Sequence, residues 1–143
     1  MQVDFYHLSG PAFPVVARIG ERILADGGRL LVIVGDGEVD ACDEALWTHT
    51  PDSFLPHGRA DRPDAAAQPV LIATDVDPGS GASAVAIADG VWRDSALAFT
   101  RAFHLFDESN IVAARAAWKD LAGREGVERR YWRQEGGKWK QVA

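Results

Sequence analysis

Hydrophobic and polar positions along the chain fall into two alternating rhythms. Short apolar or aromatic runs, "VDFYHL" (3–8), "RLLVIVG" (29–35), "VLIATDV" (70–76), "AVAIADG" and "FTRAFHLFD" (99–107), read as strands, and the continuous "LLVIV" marks one buried on both faces. Between them the spacing turns helical. In "GPAFPVVARIGERILADGG" the positions Val15, Val16, Ile19, Ile23 and Leu24 recur at one helix face, and Gly27-Gly28 ends the pattern. "EVDACDEALWTH" predicts a second helix with an acidic first turn, and "ESNIVAARAAWKDLAGREG" (108–126) the strongest one. "WRDSALA" predicts a short helix, "DPGSGAS" a turn, and "HGRADRPDAAAQP" (57–69) a surface loop. "ERRYWRQ" and "KWKQV" around "EGG" predict a terminal hairpin. Strand–helix alternation implies a parallel sheet with crossover helices, so the expected fold is a Rossmann-like three-layer α/β domain over 1–143, with a mostly parallel central sheet and a C-terminal β-hairpin.

Composition adds little to this; charge adds more. A chain of 143 residues, 47% hydrophobic and 25% charged, suits one globular domain. "MQVDFYHLSG" lacks a basic segment followed by an apolar run, and "LLVIV" is too short to cross a bilayer, so the expectation is a cytoplasmic protein with no membrane contact. The net charge of −6 is uneven. Residues 111–143 hold eight Lys/Arg against four acids, and the other 110 hold seven Arg against seventeen acids. An acidic body with a basic last quarter suggests a local anionic partner and argues against a whole surface lying along nucleic acid.

Catalytic chemistry finds no support. "VIVGDGEVD" has the strand–glycine–helix context of a phosphate-cradling turn. The third small residue of a dinucleotide fingerprint is replaced by Asp40, and Asp36 and Glu38 add negative charge. The four histidines lie in different elements, and Ser9, Ser53 and Ser109 lack a nucleophile-elbow context. Cys42 is the single cysteine and sits among carboxylates that raise its pKa. Asp36, Glu38, Asp40, Asp43 and Glu44 form an acidic cluster, read as a solvated helix face rather than a cation site. No cofactor, metal or catalytic residue is expected.

Binding chemistry converges at the C-terminal end. Ile111, Arg115, Trp118 and Ala122 follow steps of four, three and four along one helix face, and Lys119 lies one turn beyond Arg115. The hairpin adds Tyr131, Trp132 and Trp139 among Arg129, Arg130, Arg133, Lys138 and Lys140. Guanidinium forks beside aromatic walls suit an acidic peptide ending in an aromatic residue and a free carboxylate. Basic residues interleaved with aromatics also suit single-stranded nucleic acid. A core role for Trp118 with solvated Arg115 and Lys119 is the third possibility. All three stay open on these residues alone.

One further stretch stands out. "DEALWTHTPDSFLPHG" (43–58) closes a helix, breaks at two prolines and still carries Trp47, Phe54, Leu55 and His57. With "FYHL", "PVLIATD", "AFTRAFHLFDES" and "ARAAWK", it makes the chain resemble the chi subunit of bacterial DNA polymerase III holoenzyme over its whole length. The resemblance implies a Rossmann-like fold without nucleotide chemistry and a non-catalytic adaptor role in DNA replication and repair. It implies that the acidic C-terminal tail of the single-stranded DNA-binding protein docks on the last helix. Arg115 would take the terminal carboxylate, with Trp118 and Lys119 beside it and His104 at the pocket edge. Ile111 joins them by its place on the same helix face, and Tyr131, Trp132 and Trp139 are candidates for further walls by their own chemistry, without a residue-for-residue match to the family's pocket aromatics. A second surface at Trp47, Phe54, Leu55 and His57 would bind the psi subunit, which tethers chi to the clamp loader, or a helicase-type partner. Contact with DNA would be indirect. The end of the chain, "GVERRYWRQEGGKWKQVA", is longer and more basic than in the best-known members.

Overall fold

The parity of residues along the strands divides the core in two. A computed structural model describes residues 1–49, 55–60 and 68–143. Eight strands run in the order β3-β4-β2-β5-β6-β1-β7-β8. They are β1 (Gln2–His7), β2 (Leu30–Ile33), β3 (Gly58–Arg59), β4 (Val70–Ala73), β5 (Ala84–Ile87), β6 (Arg101–Phe106), β7 (Glu128–Glu135) and β8 (Lys138–Gln141). Every pairing is parallel except β7 with β8. The helices are α1 (Ala12–Ala25), α2 (Val39–Thr48) and α3 (Ile111–Ala122).

Leu30 and Val32 of β2, with Phe103 and Leu105 of β6, pack beneath α1 and α2. The alternate residues Leu31, Ile33, Ala102 and Phe106 join Val3 and Phe5 beneath α3. Strand alternation sends neighbours to opposite faces, and helices on both faces explain why β2 and β5 are apolar throughout. Helix α1 buries Val15, Val16, Ile19 and Ile23, each contributing about 1.5–3 kcal/mol. The predicted strands, helices and hairpin are all present, and the architecture is the expected mixed α/β sheet with a C-terminal hairpin.

Two features lie beyond the sequence pattern. Within the segment read as a loop, Gly58–Arg59 pairs with β4. Strand β7 lies parallel to β1 before it turns into β8. The chain thus leaves β6, crosses over β1 as α3 and returns at the far side of β1, which seats α3 across Phe5. The hairpin turn uses Gly136 and Gly137 at φ +55° and +78°. Both glycines lie in the left-handed region, as the tight turn that matches strand twist requires. The exposed edge strand β8 carries Lys138 and Lys140, charges that oppose edge-to-edge association.

A 3₁₀ turn at Glu108–Asn110 precedes α3, and Asp107 caps it. The Asp107 carboxylate accepts from Ser109 N (2.9 Å), and Asn110 Oδ1 accepts from Asp107 N (2.9 Å). The serine hydrogen bonds hold the Asp107 carboxyl below its ordinary range. Gly90, at φ +75°, sits so close to Asn110 that a Cβ there would collide with the side-chain amide. The loop after β5 and the start of α3 are therefore fitted to each other.

Candidate functional site

Helix α3 meets the sheet through Ala114 and Leu121, fully buried, and through the partly buried Ile111, Ala117 and Trp118. Arg115 and Lys119 lie on the exposed flank, one turn apart. The face expected to unite Ile111, Arg115, Trp118 and Ala122 is thus a border between core and solvent: Ile111 and Trp118 lean inward, Arg115 and Ala122 outward.

A pocket of about 310 Å³ opens where α3 faces the ends of β1 and β7. Ile111 supplies an apolar wall, and Arg115 and Arg133 supply two guanidinium groups. His7 and Glu108 border it with His7 Nε2 2.9 Å from Glu108 Oε1, and Ser9 N donates to Gln134 Oε1 (3.1 Å). Neither Arg115 nor Arg133 makes an ion pair among the described residues. Tyr131 lies beside this pocket. Burial raises its phenol pKa, while the positive fields of Arg115 and Arg133 work in the opposite direction. Two unengaged forks above an apolar wall can take a carboxylate bidentately.

The other predicted residues divide. Trp118 packs edge-on against Phe5 (5.3 Å between centroids, 88°) and Tyr131 (5.6 Å, 90°), so much of its ring serves the core. Tyr131 is on the α3 face with it. Trp132 and Trp139 are not: alternation along β7 and pairing of Gln134 with Trp139 put both on the α1 face. There Trp132 stacks on Tyr6 (6.5 Å, 24°) and Trp139 meets Tyr6 edge-on (4.8 Å, 64°). The sheet separates them from Arg115, so one pocket cannot use all three hairpin aromatics. His104 also departs from its expected place at a pocket edge. It is fully buried, ringed by Phe5, Trp92 and Phe106, and burial pushes its pKa down to about 4.

Arg133 went unrecognised as a site residue within the basic hairpin. The parity Arg129, Tyr131, Arg133 could have singled it out, but only if β7 were known to lie beside β1.

At the second surface, Trp47 ends α2 with 53% of its area exposed and its ring 4.8 Å from that of His57. The His57 side chain is wholly buried: Nδ1 donates to Leu55 O (2.7 Å), and Nε2 lies 3.0 Å from Asp43 Oδ1. Leu55 is core, packed in the α1–α2 cluster. Phe54 lies outside the described residues. Of the other three, Trp47 alone presents a large apolar area.

The glycine turn after β2 borders a cavity of about 430 Å³ at the carboxyl ends of β2 and β5. Nucleotides bind at this position in open α/β sheets. Here its ionisable lining residues are Glu38 and Asp89, both carboxylates facing the place a phosphate would occupy. Among the described residues no group of three or more His, Cys, Asp or Glu could hold a metal ion. No helix there is long and apolar enough to cross a membrane.

The family model described as DNA polymerase III chi subunit, HolC, matches residues 1–128. The chain belongs to the DNA polymerase III chi-subunit family. The match makes this chi-family chain an accessory component of the replicative polymerase with a role in DNA replication. It ends at the first residue of β7, so Tyr131, Arg133 and the rest of the hairpin lie outside it. A search of curated proteins finds no match.

Proposed function

We propose that this chi-family chain is a non-catalytic adaptor that receives the acidic C-terminal tail of the single-stranded DNA-binding protein on its α3 face. It passes that contact to the clamp-loader assembly through a psi-type subunit at Trp47. The observation that carries the reading is the pair Arg115 and Arg133 lining one pocket with Ile111. The tail's terminal carboxylate sits between the two guanidinium groups, its last side chain lies against Ile111, and its acidic residues run toward Lys119. Through the α3 face the link to DNA is indirect, by way of the tail; the partner at Trp47 is psi or a helicase-type protein, and the setting is the cytoplasmic replisome. Several tails on one oligomeric partner add avidity to a modest single contact.

The test is titration of an acidic peptide ending in phenylalanine carboxylate. Arg115→Ala weakens it by roughly 1.5–3 kcal/mol, the worth of a charge-assisted hydrogen bond. Amidating the peptide's C-terminus produces a similar loss and removes the sensitivity to Arg115→Ala. Equal affinity of wild type and Arg115→Ala for the free-carboxylate peptide rejects the assignment.

A further inference from the structure

Trp139, a hairpin aromatic that the α3 pocket does not use, borders a second site. On the opposite face of the sheet, Tyr6, Phe103 and Trp139 wall a slot of about 170 Å³ whose rim carries Arg18, Arg22 and Arg101. We propose that this slot binds single-stranded nucleic acid directly, with one base held among the aromatic rings and the flanking phosphates on Arg18 and Arg22.

Three observations favour a base and phosphates over a peptide carboxylate. The first is the condition of the arginines. Arg101 gives both Nε and Nη2 to Asp4 Oδ2 (3.2 Å each), so its fork is occupied. What it offers the slot is a flat cation lying over Phe103, 4.7 Å from the ring centroid. A guanidinium in that state is a stacking platform for a planar ring rather than a carboxylate clamp. The α3 pocket has the opposite character, with its two forks unengaged.

The second is size and shape. Tyr6 and Trp139 meet at 64° and form an aromatic corner, and the slot of about 170 Å³ is smaller than the α3 pocket of about 310 Å³. A single planar ring system suits that corner. The third is local charge. Arg18 and Arg22 are exposed, one turn apart on α1, and make no ion pair among the described residues. Of the nearby carboxylates, Asp4 is buried under Arg101 and the Trp132 indole N–H (3.0 Å), Glu128 pairs with Arg130 (3.3 Å) and Glu21 lies 3.1 Å from His49, while Asp26, one turn beyond Arg22, makes no ion pair among the described residues. Glu38, Asp40, Asp43 and Glu44 belong to α2 or its start, elsewhere in that layer.

The test uses the full chain and a fluorescein-labelled oligothymidylate, read by anisotropy. Binding is expected at low ionic strength, weakening as salt is added. The double variant Arg18→Ala/Arg22→Ala, both positions being exposed on a helix, lowers affinity at least about tenfold and flattens the salt slope by about 1.4. Trp139→Leu weakens binding while leaving the salt slope unchanged, because it removes stacking and no phosphate contact. Arg115→Ala leaves oligonucleotide affinity intact. No binding at low ionic strength overturns the proposal. So does oligonucleotide binding that survives Arg18→Ala/Arg22→Ala, or loss of acidic-peptide binding in that double variant.

Discussion

Arg129 holds Trp118 in two ways. Its guanidinium carbon lies 3.9 Å from the indole centroid, and its Nη1 donates to the Trp118 carbonyl at 2.7 Å. Strand β7 thereby grips the last turn of α3, and a cation near a helix C-terminus also suits the helix dipole. Arg129→Ala should lower stability to urea by about 2 kcal/mol, combining a partly exposed cation–π contact with a charge-assisted hydrogen bond. Arg129→Lys keeps the charge but not the planar stack and should fall between the two.

The same packing gives Trp118 and Lys119 different roles. Trp118→Ala should cost roughly 3 kcal/mol, because it opens a gap against Phe5 and Tyr131. Lys119→Ala should leave the melting temperature unchanged and weaken only the acidic peptide. A melting curve and a peptide titration on each variant separate scaffold from contact.

Asp4 and Arg101 predict an asymmetry. Asp4 has 1% of its area exposed, and Arg101 is its sole cationic partner among the described residues. Arg101→Ala strands a carboxylate in the core and should destabilise by roughly 3–5 kcal/mol. Asp4→Asn removes the charge but retains a side chain able to accept from the Trp132 indole, and it leaves a guanidinium that still reaches water, so its effect should be smaller. Equal losses in chemical denaturation would contradict this account.

His104 predicts acid sensitivity. Burial lowers its pKa from 6.5 to about 4; the nearby Asp89 opposes this and Arg93 adds to it. Neither ring nitrogen has a hydrogen-bond partner among the described residues. Above pH 6.5 both folded and unfolded chains carry it neutral, and it imposes no pH dependence. Below that, the unfolded chain takes up a proton that the folded chain refuses until about pH 4. Stability should therefore fall across that window by roughly 3 kcal/mol from this group. His104→Leu, filling the same apolar site, should remove that slope from denaturation curves collected between pH 4 and 6.5.

The sequence revealed elements better than neighbours. Periodicity marks α1, β2 and α3 because each is longer or more apolar than chance, and the two glycines mark the hairpin turn. Periodicity cannot say that β7 joins β1, since a parallel pairing leaves no local trace. Two site errors follow from that one gap. Trp132 and Trp139 look adjacent to Tyr131 in the chain but face the other way, and Arg133 gains its importance only from lying across from Arg115. The resemblance implies a place for His104 at the pocket edge, and the local pattern of strand β6 does not contradict it. The neighbours Phe103, Leu105 and Phe106 do not decide the side of the sheet, and α3 covers that side. The carboxylates around Cys42 are visible in the sequence, but its burial is not. Burial proves the larger cause, pushing the thiol to about 12, with Asp43 and Glu38 adding to it.

The second surface gives the last prediction. Trp47 and His57 touch, yet one is half exposed and the other has a wholly buried side chain. If Trp47 serves a partner, Trp47→Ala should change stability by less than about 1 kcal/mol, since much of its ring is already in water, and should abolish co-elution with a psi-type subunit in gel filtration. His57→Ala should do the reverse in part. It leaves the buried Leu55 carbonyl without its donor and opens space beside Trp47, so the fold should weaken by roughly 1–3 kcal/mol. Partner affinity should then fall only as far as Trp47 loses its support. A Trp47→Ala variant that retains full co-elution would move the docking site away from the end of α2, whatever His57→Ala does to stability.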